Sequence, residues 1–371
     1  MTILLLLLAL PLISNKLFKT NYEDLDSDTK ELLEEYEKFQ DKKVELWKNY
    51  KLDEKTIAMI NKNFLGDFYL INPSEEIKSL SAKEIKMPQN FKIKVYRISK
   101  NYPKRFNFIM GNFNTKDKNY SILGQKNIFY LKTNEDFLAE KYSSKRFLPL
   151  LAHEAFHYYV QDDWDDLTFR GLSYSENELT LLDKEYRLLD QIKDEVEKEN
   201  SDKILLDSYL KDYLEIINER KKFTDSEKLK AELVEETIEG TAQYVEIKAA
   251  KAIDYDLGIL YFDNTKDVNF SDILPSLKKG QIDQSLIGSH LVYASGALLC
   301  FAMDKMDFPN WQEVLTEKNK KESYTLHDLI SDYYKNWFYI SLASLILNCW
   351  GYFYDFYKNI MCDKIIIRKF F

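Results

Sequence analysis

The sequence predicts an α+β fold, mostly helical, with a small N-terminal sheet packed on a helical body. Two patterns lead there. Apolar and polar residues alternate through 91–98, and two further β-like runs stand at 106–110 and 128–131. After residue 135, apolar residues recur at three- and four-residue steps almost throughout. Composition agrees: 371 residues with 45% hydrophobic and 15% aromatic side chains supply a core, and 10 Gly with 7 Pro exclude collagen-like or Pro/Gly-rich disordered chains. A net charge of −9 gives no general attraction to phosphate backbones, and the basic stretch Lys92–Lys104 reads as strand and turn. No nucleic-acid partner is expected. Three cysteines, Cys300, Cys349 and Cys362, make no disulfide framework.

Taken in order, residues 3–13 read ILLLLLALPLI, an apolar run too short to span a bilayer and suited to a signal peptide, assigned to 1–15. A secreted or cell-envelope protein is expected from it. Residues 16–90 read as an N-terminal helical region. Leu32, Leu33, Tyr36, Phe39, Val44 and Trp47 recur at helical spacing within 23–64, and Gly66, Pro73 and Pro88 mark loops with a short strand after it. The main domain is expected over 91–335. Within it, three helices fall near 175–199, 202–222 and 225–253. Ser175-x-x-Glu178 and Thr224-x-x-Glu227 read as capping boxes, and Ser201-Asp202 as a cap between them. Leu206, Leu210, Tyr213 and Ile217 form the middle helix's apolar stripe. The first two helices read as a hairpin inserted over 173–223. Residues 337–354 are greasy, with aromatic edges and basic flanks, so 336–371 reads as a packed terminal helix or a membrane anchor.

The chemistry concentrates at LLAHEAFHYYVQ, residues 150–161. His153-Glu154-x-x-His157 places two imidazoles one helical turn apart on one face, the separation that lets both bind one tetrahedral Zn²⁺. Glu154 lies off that line, where a carboxylate can take the proton of a zinc-activated water. The chain has 4 His and two of them are here, so the pattern is specific. A further ligand must come from elsewhere. Glu232, Glu235, Glu236, Glu239, Gln243 and Glu246 recur at helical steps as one acidic stripe, which alone reads as a solvated face. Asp162, Asp163, Asp165 and Asp166 lack the fixed spacing of a Ca²⁺ loop and read as solvated.

Glu239-Gly240-x-Ala242-x-Tyr244-Val245-Glu246 resembles the E-G-x-A-x-Y-x-E helix of gluzincin metallopeptidases, the clan that includes the aminopeptidase N family. The resemblance implies a zincin-like catalytic domain with zinc held by His153, His157 and Glu239 and a peptide or protein as substrate. Gly240 would let the ligand helix approach the HExxH helix. Glu235 as ligand, with Glu239 orienting a zinc imidazole, is the rival assignment. His290-Leu-Val-Tyr293-x-x-Gly296 resembles the family's Y-x-x-G helix, which implies Tyr293 as the oxyanion donor, with His290 as the alternative. The likeness covers roughly 35 residues in three segments and departs from the family twice. Glu239 follows His157 by 82 positions, a gap the inserted hairpin accounts for, and the exopeptidase G-x-M-E-N strand is replaced by Gly124-Gln125-Lys126-Asn127. Residues 124–131 are expected to offer a strand edge to an extended peptide. The competing expectation is an inactive zincin-like binding or scaffold protein at the cell surface.

Overall fold

A five-stranded mixed sheet lies near the N-terminus, in the order β3-β4-β2-β1-β5. Its strands are β1 (Ile57–Asn61), β2 (Phe68–Ile71), β3 (Ala82–Glu84), β4 (Val95–Ile98) and β5 (Phe129–Thr133). All pairings are antiparallel except β1 with β5, where Ile57 stands beside Phe129 and Asn61 beside Thr133. The computed structural model describes residues 20–62, 66–100, 102–114, 118–139, 141–164, 173–261 and 268–336. The expected signal peptide (1–15), the apolar segment 337–354, Cys349, Cys362, Asp165 and Asp166 lie outside them.

The sheet corrects three expectations. Residues 57–61 are a strand, not the end of a helix, because β1 is buried on both faces and therefore shows no alternation. Residues 106–110 are not a strand: Pro103 fixes φ and starts a 3-10 turn over Pro103–Phe108. The sheet also runs across residue 90, so no domain boundary falls there. Ala58, Leu70, Tyr96 and Tyr130 share one sheet face with Ile60, Phe68 and Ile98, packed on Phe108, Tyr120 and Ile122.

Before the helical stretch 326–336, eight α-helices stand in the described chain: α1 (Ser27–Lys42), α2 (Phe147–Tyr159), α3 (Glu176–Glu197), α4 (Lys203–Arg220), α5 (Ser226–Ala252), α6 (Ile273–Lys278), α7 (Val292–Lys305) and α8 (Trp311–Asn319). Their starts follow local chemistry. Ser175 and Glu178 form the expected capping box of α3, and Asp202 accepts from the Ile204 and Leu205 amides to start α4. At α5 the cap is Asp225, which accepts from Glu227 and Lys228, rather than Thr224. A π-helical stretch, Ile287–Leu291, runs into α7. The run Ile287–Lys305 is long and apolar enough to cross a membrane, and 67% of it is buried inside the fold, as befits the inner helix of a core.

The 173–223 hairpin is a wall of the body. The expected stripe of Leu206, Leu210, Tyr213 and Ile217 is buried, and Arg220 of α4, 1% exposed, pairs with Glu185 of α3 at 2.9 Å and Glu232 of α5 at 2.6 Å. The compact body ends at Leu326; residues 327–336, helical, belong to a second unit.

Candidate metal centre

The site grows from where α2 is pinned. Its N-terminus has no cap of its own. Glu35 of α1, almost fully buried, accepts from the Leu148 amide at 2.8 Å and from the Arg146 guanidinium at 2.5 Å, so a carboxylate meets the positive end of the helix. Pro149 sits in the first turn, where no amide donor is needed. Further along, Phe156 packs edge-on against Trp47 and Tyr50, with ring centroids 5.0 and 5.8 Å apart. This anchors the apolar side of α2 and turns His153 and His157 toward α5.

α2 and α5 run antiparallel: His153 meets Glu246, whereas Gln161 meets Ile238 and Thr241. Between them three donor atoms converge. The two Nε2 atoms are 3.1 Å apart, and Glu239 Oε2 lies 3.3 Å from that of His153 and 3.4 Å from that of His157. The acidic stripe is therefore not a solvated face. Glu232 and Glu236 turn to the hairpin and α7, and Glu239 and Glu246 turn to α2. Glu235, one turn before Glu239, stands outside the donor group and is felt electrostatically by Tyr293.

Two residues that sequence reasoning passed over fix the imidazoles. His153 Nδ1 is 3.0 Å from Glu246 Oε2, and His157 Nδ1 is 2.5 Å from Gln161 Oε1. The Gln161 amide nitrogen donates to the Ile238 carbonyl at 3.0 Å and to Thr241 Oγ1 at 2.7 Å, so its oxygen can only accept. His157 Nδ1 then carries the proton, and so does His153 Nδ1 opposite a carboxylate. Each Nε2 can then offer its lone pair to a cation placed between them. A signal existed for each: Gln161 is four residues after His157, and Glu246 is two helical turns after Glu239.

The group fits a small divalent cation. Three lone-pair atoms facing one another at 3.1–3.4 Å repel unless positive charge lies among them, and Glu239 Oε2 is buried without a hydrogen bond. Tetrahedral coordination with bonds of ~2.0–2.1 Å gives ligand–ligand edges of about 3.3–3.4 Å, close to the triangle observed. His153, His157 and Glu239 could thus hold a metal ion. The local field agrees. Burial opposes a charged His153, yet the carboxylates of Glu239 and Glu246 outweigh it and lift its pKa well above the ordinary imidazole value. Burial likewise opposes a charged Glu239, yet His157 and His153 hold its carboxyl well below the usual range.

Glu154 is half-buried beside this group. Burial raises its pKa, the two imidazoles lower it, and Glu239 and Glu246 raise it again. Tyr293 also joins the site: its ring stacks on His153 at a 6.0 Å centroid distance and 11° between planes, and its hydroxyl interacts with Glu239. Burial and the Glu239 charge push that hydroxyl's pKa far up. His290 faces elsewhere, with Nε2 3.1 Å from the Tyr261 carbonyl.

Two further expectations are corrected. Gly240 faces α7, not α2: a Cβ there would lie 2.4 Å from Gly296 Cα, so the glycine pair lets α5 and α7 touch, with Tyr293 one turn before the contact. The outer edge of β5 is filled within the chain. Phe113 bridges to Leu131, Asn114 bonds the Ile128 carbonyl and Tyr130 amide, and the Lys132 amide bonds Asn112. An extended peptide has no free ladder there. Compared with family models, curated proteins and solved structures, the chain matches none.

Proposed function

We propose that this chain is an exported, zinc-dependent peptidase. The observation that carries the reading is the triangle of two imidazole nitrogens and one carboxylate oxygen at 3.1–3.4 Å, with Glu154 and Tyr293 at its side. Two His and one carboxylate form a donor set that suits zinc, with one position left for water or substrate. When bound, zinc supplies Lewis acidity that draws electron density from a carbonyl and lowers the pKa of water.

The chain's own residues do the rest. Glu246 and Gln161 hold the imidazoles in the ligating tautomer. Glu154 accepts a proton from the attacking water as the C–O bond forms, and delivers it to the amine as the C–N bond breaks. Tyr293, kept protonated by burial and by Glu239, donates its hydroxyl to the oxygen that becomes negative. Peptide or protein is the substrate class, nucleic acid is not, and export rests on the apolar run 3–13.

The test is hydrolysis of a mixed peptide pool by the zinc-loaded full chain, read by mass spectrometry. Cleavage by the wild type and its loss in Glu154→Gln are expected. No cleavage by the wild type, or undiminished cleavage by Glu154→Gln, contradicts the reading.

A further inference from the structure

Away from the metal group, one surface departs from the acidic character of the chain. The turn Pro103–Phe108 and the two residues after it push three large apolar side chains into solvent: Phe106 is 69% exposed, Ile109 56% and Met110 78%. Three such residues within five positions make a patch rather than the usual scatter. At their foot opens a mostly apolar groove of about 380 Å³ over Phe68 and Phe108.

The rim of this groove is basic, with Lys62, Lys100, Arg105 and Lys132 along it. Asp67, between the lining residues Gly66 and Phe68, is already engaged by Arg97 at 2.6 Å and Lys100 at 3.4 Å. Among the described residues no carboxylate lies within ion-pair distance of Lys62, Arg105 or Lys132. One terminal nitrogen of Arg105 bonds the Gly66 carbonyl and the other is buried, while the Lys132 ammonium bonds the Ile109 carbonyl at the foot of the ridge. A chain of net charge −9 has thus gathered cations without carboxylate partners around a cluster of exposed apolar tips.

We propose that this ridge docks on an anionic phospholipid bilayer. Phe106, Ile109 and Met110 enter the boundary between headgroups and acyl chains, and Lys62, Lys132 and Lys104, which is exposed in the same turn, meet the headgroups. Charge complementarity selects this occupant. A net-negative chain is repelled by an anionic surface unless positive charge is concentrated at the contact face, which is the distribution seen. Apolar tips ringed by cations match the depth profile of an interface, apolar inward and charged at headgroup level, without requiring a shaped partner. The proposal stands apart from the metal reading and does not depend on it.

The experiment is amide hydrogen exchange on the full chain, read by mass spectrometry over residues 102–112. Vesicles are phosphatidylcholine alone or phosphatidylcholine mixed with phosphatidylglycerol. The readout is local, so attachment through any other segment does not register in it. Exchange at 102–112 is expected to slow on the anionic vesicles only. The slowing should disappear in Phe106→Ser/Ile109→Ser/Met110→Ser, whose substitutions are all on exposed side chains. Lys104→Gln should raise the lipid concentration needed by about fivefold. Unchanged exchange on anionic vesicles, equal slowing on neutral ones, or slowing that survives in the triple variant overturns the proposal.

Discussion

Replacing Gly296 by alanine tests how the two inner helices set the site. A Cβ at Gly296 would stand 2.1 Å from the Glu236 carbonyl oxygen and 2.8 Å from Gly240 Cα. Carbon–oxygen contacts settle at about 3.3 Å or more, so α5 and α7 must separate by about 1 Å. The opposing atoms are backbone, and no rotamer change relieves them. The upper part of the overpacking range therefore applies, about 3 kcal/mol, offset by the ~1 kcal/mol that alanine gains over glycine inside a helix. A net loss of about 2 kcal/mol corresponds, for a chain of this length, to a Tm lower by roughly 3 °C. Thermal and urea denaturation of Gly296→Ala measure it. Because Gly240 directly follows Glu239, separation of the helices should also weaken metal binding. A Gly296→Ala variant as stable as the wild type, or more so, would refute the close-contact argument.

Other consequences are sharper at the site itself. Glu246→Gln and Gln161→Leu each remove the partner that fixes an imidazole, so each should weaken metal affinity about 10- to 100-fold in a chelator competition; unchanged affinity would contradict the tautomer assignment. Tyr293→Phe should lower kcat about 10²- to 10³-fold with KM nearly unchanged; a loss confined to KM would place Tyr293 in binding instead. Burial, with Glu185 nearby, pushes the Glu236 carboxyl up to about 8 from 4.5. The folded chain then keeps a proton that the unfolded chain releases, so this stability is full below pH 4.5 and fades as pH rises toward 8, by roughly 4–5 kcal/mol. Glu236→Gln should flatten the urea-denaturation profile between those limits, and a profile as steep as the wild type's would show that Glu236 is not its source.

The pair of imidazoles was legible because its geometry is local. His153 and His157 lie on one helix, where a four-residue step fixes their mutual direction, and the helices α3 and α4 that follow start at ordinary capping residues. Glu239 needed a resemblance, because its approach depends on a tertiary contact across 82 positions. The strand β1 was invisible to periodicity because both of its faces are buried, which erases the alternation a strand is recognised by. The acidic stripe on α5 misled for a related reason: charge at helical spacing normally marks water, yet here Arg220, Tyr213, Ser295 and the imidazoles pair with it inside the fold. Gly240 carried the correct message, a close helix approach, toward a different partner, Gly296 of α7.

The most direct test of the metal centre is elemental analysis of the purified chain and four variants. The wild type should carry about one zinc per chain, the stoichiometry of a single three-ligand site. His157→Ala and Glu239→Ala should lose the metal, whereas Glu154→Gln and Glu235→Gln should keep it. A wild type that binds no zinc under saturating conditions, or a Glu239→Ala variant that holds zinc as tightly as the wild type, would contradict the assignment of His153, His157 and Glu239 as the ligands.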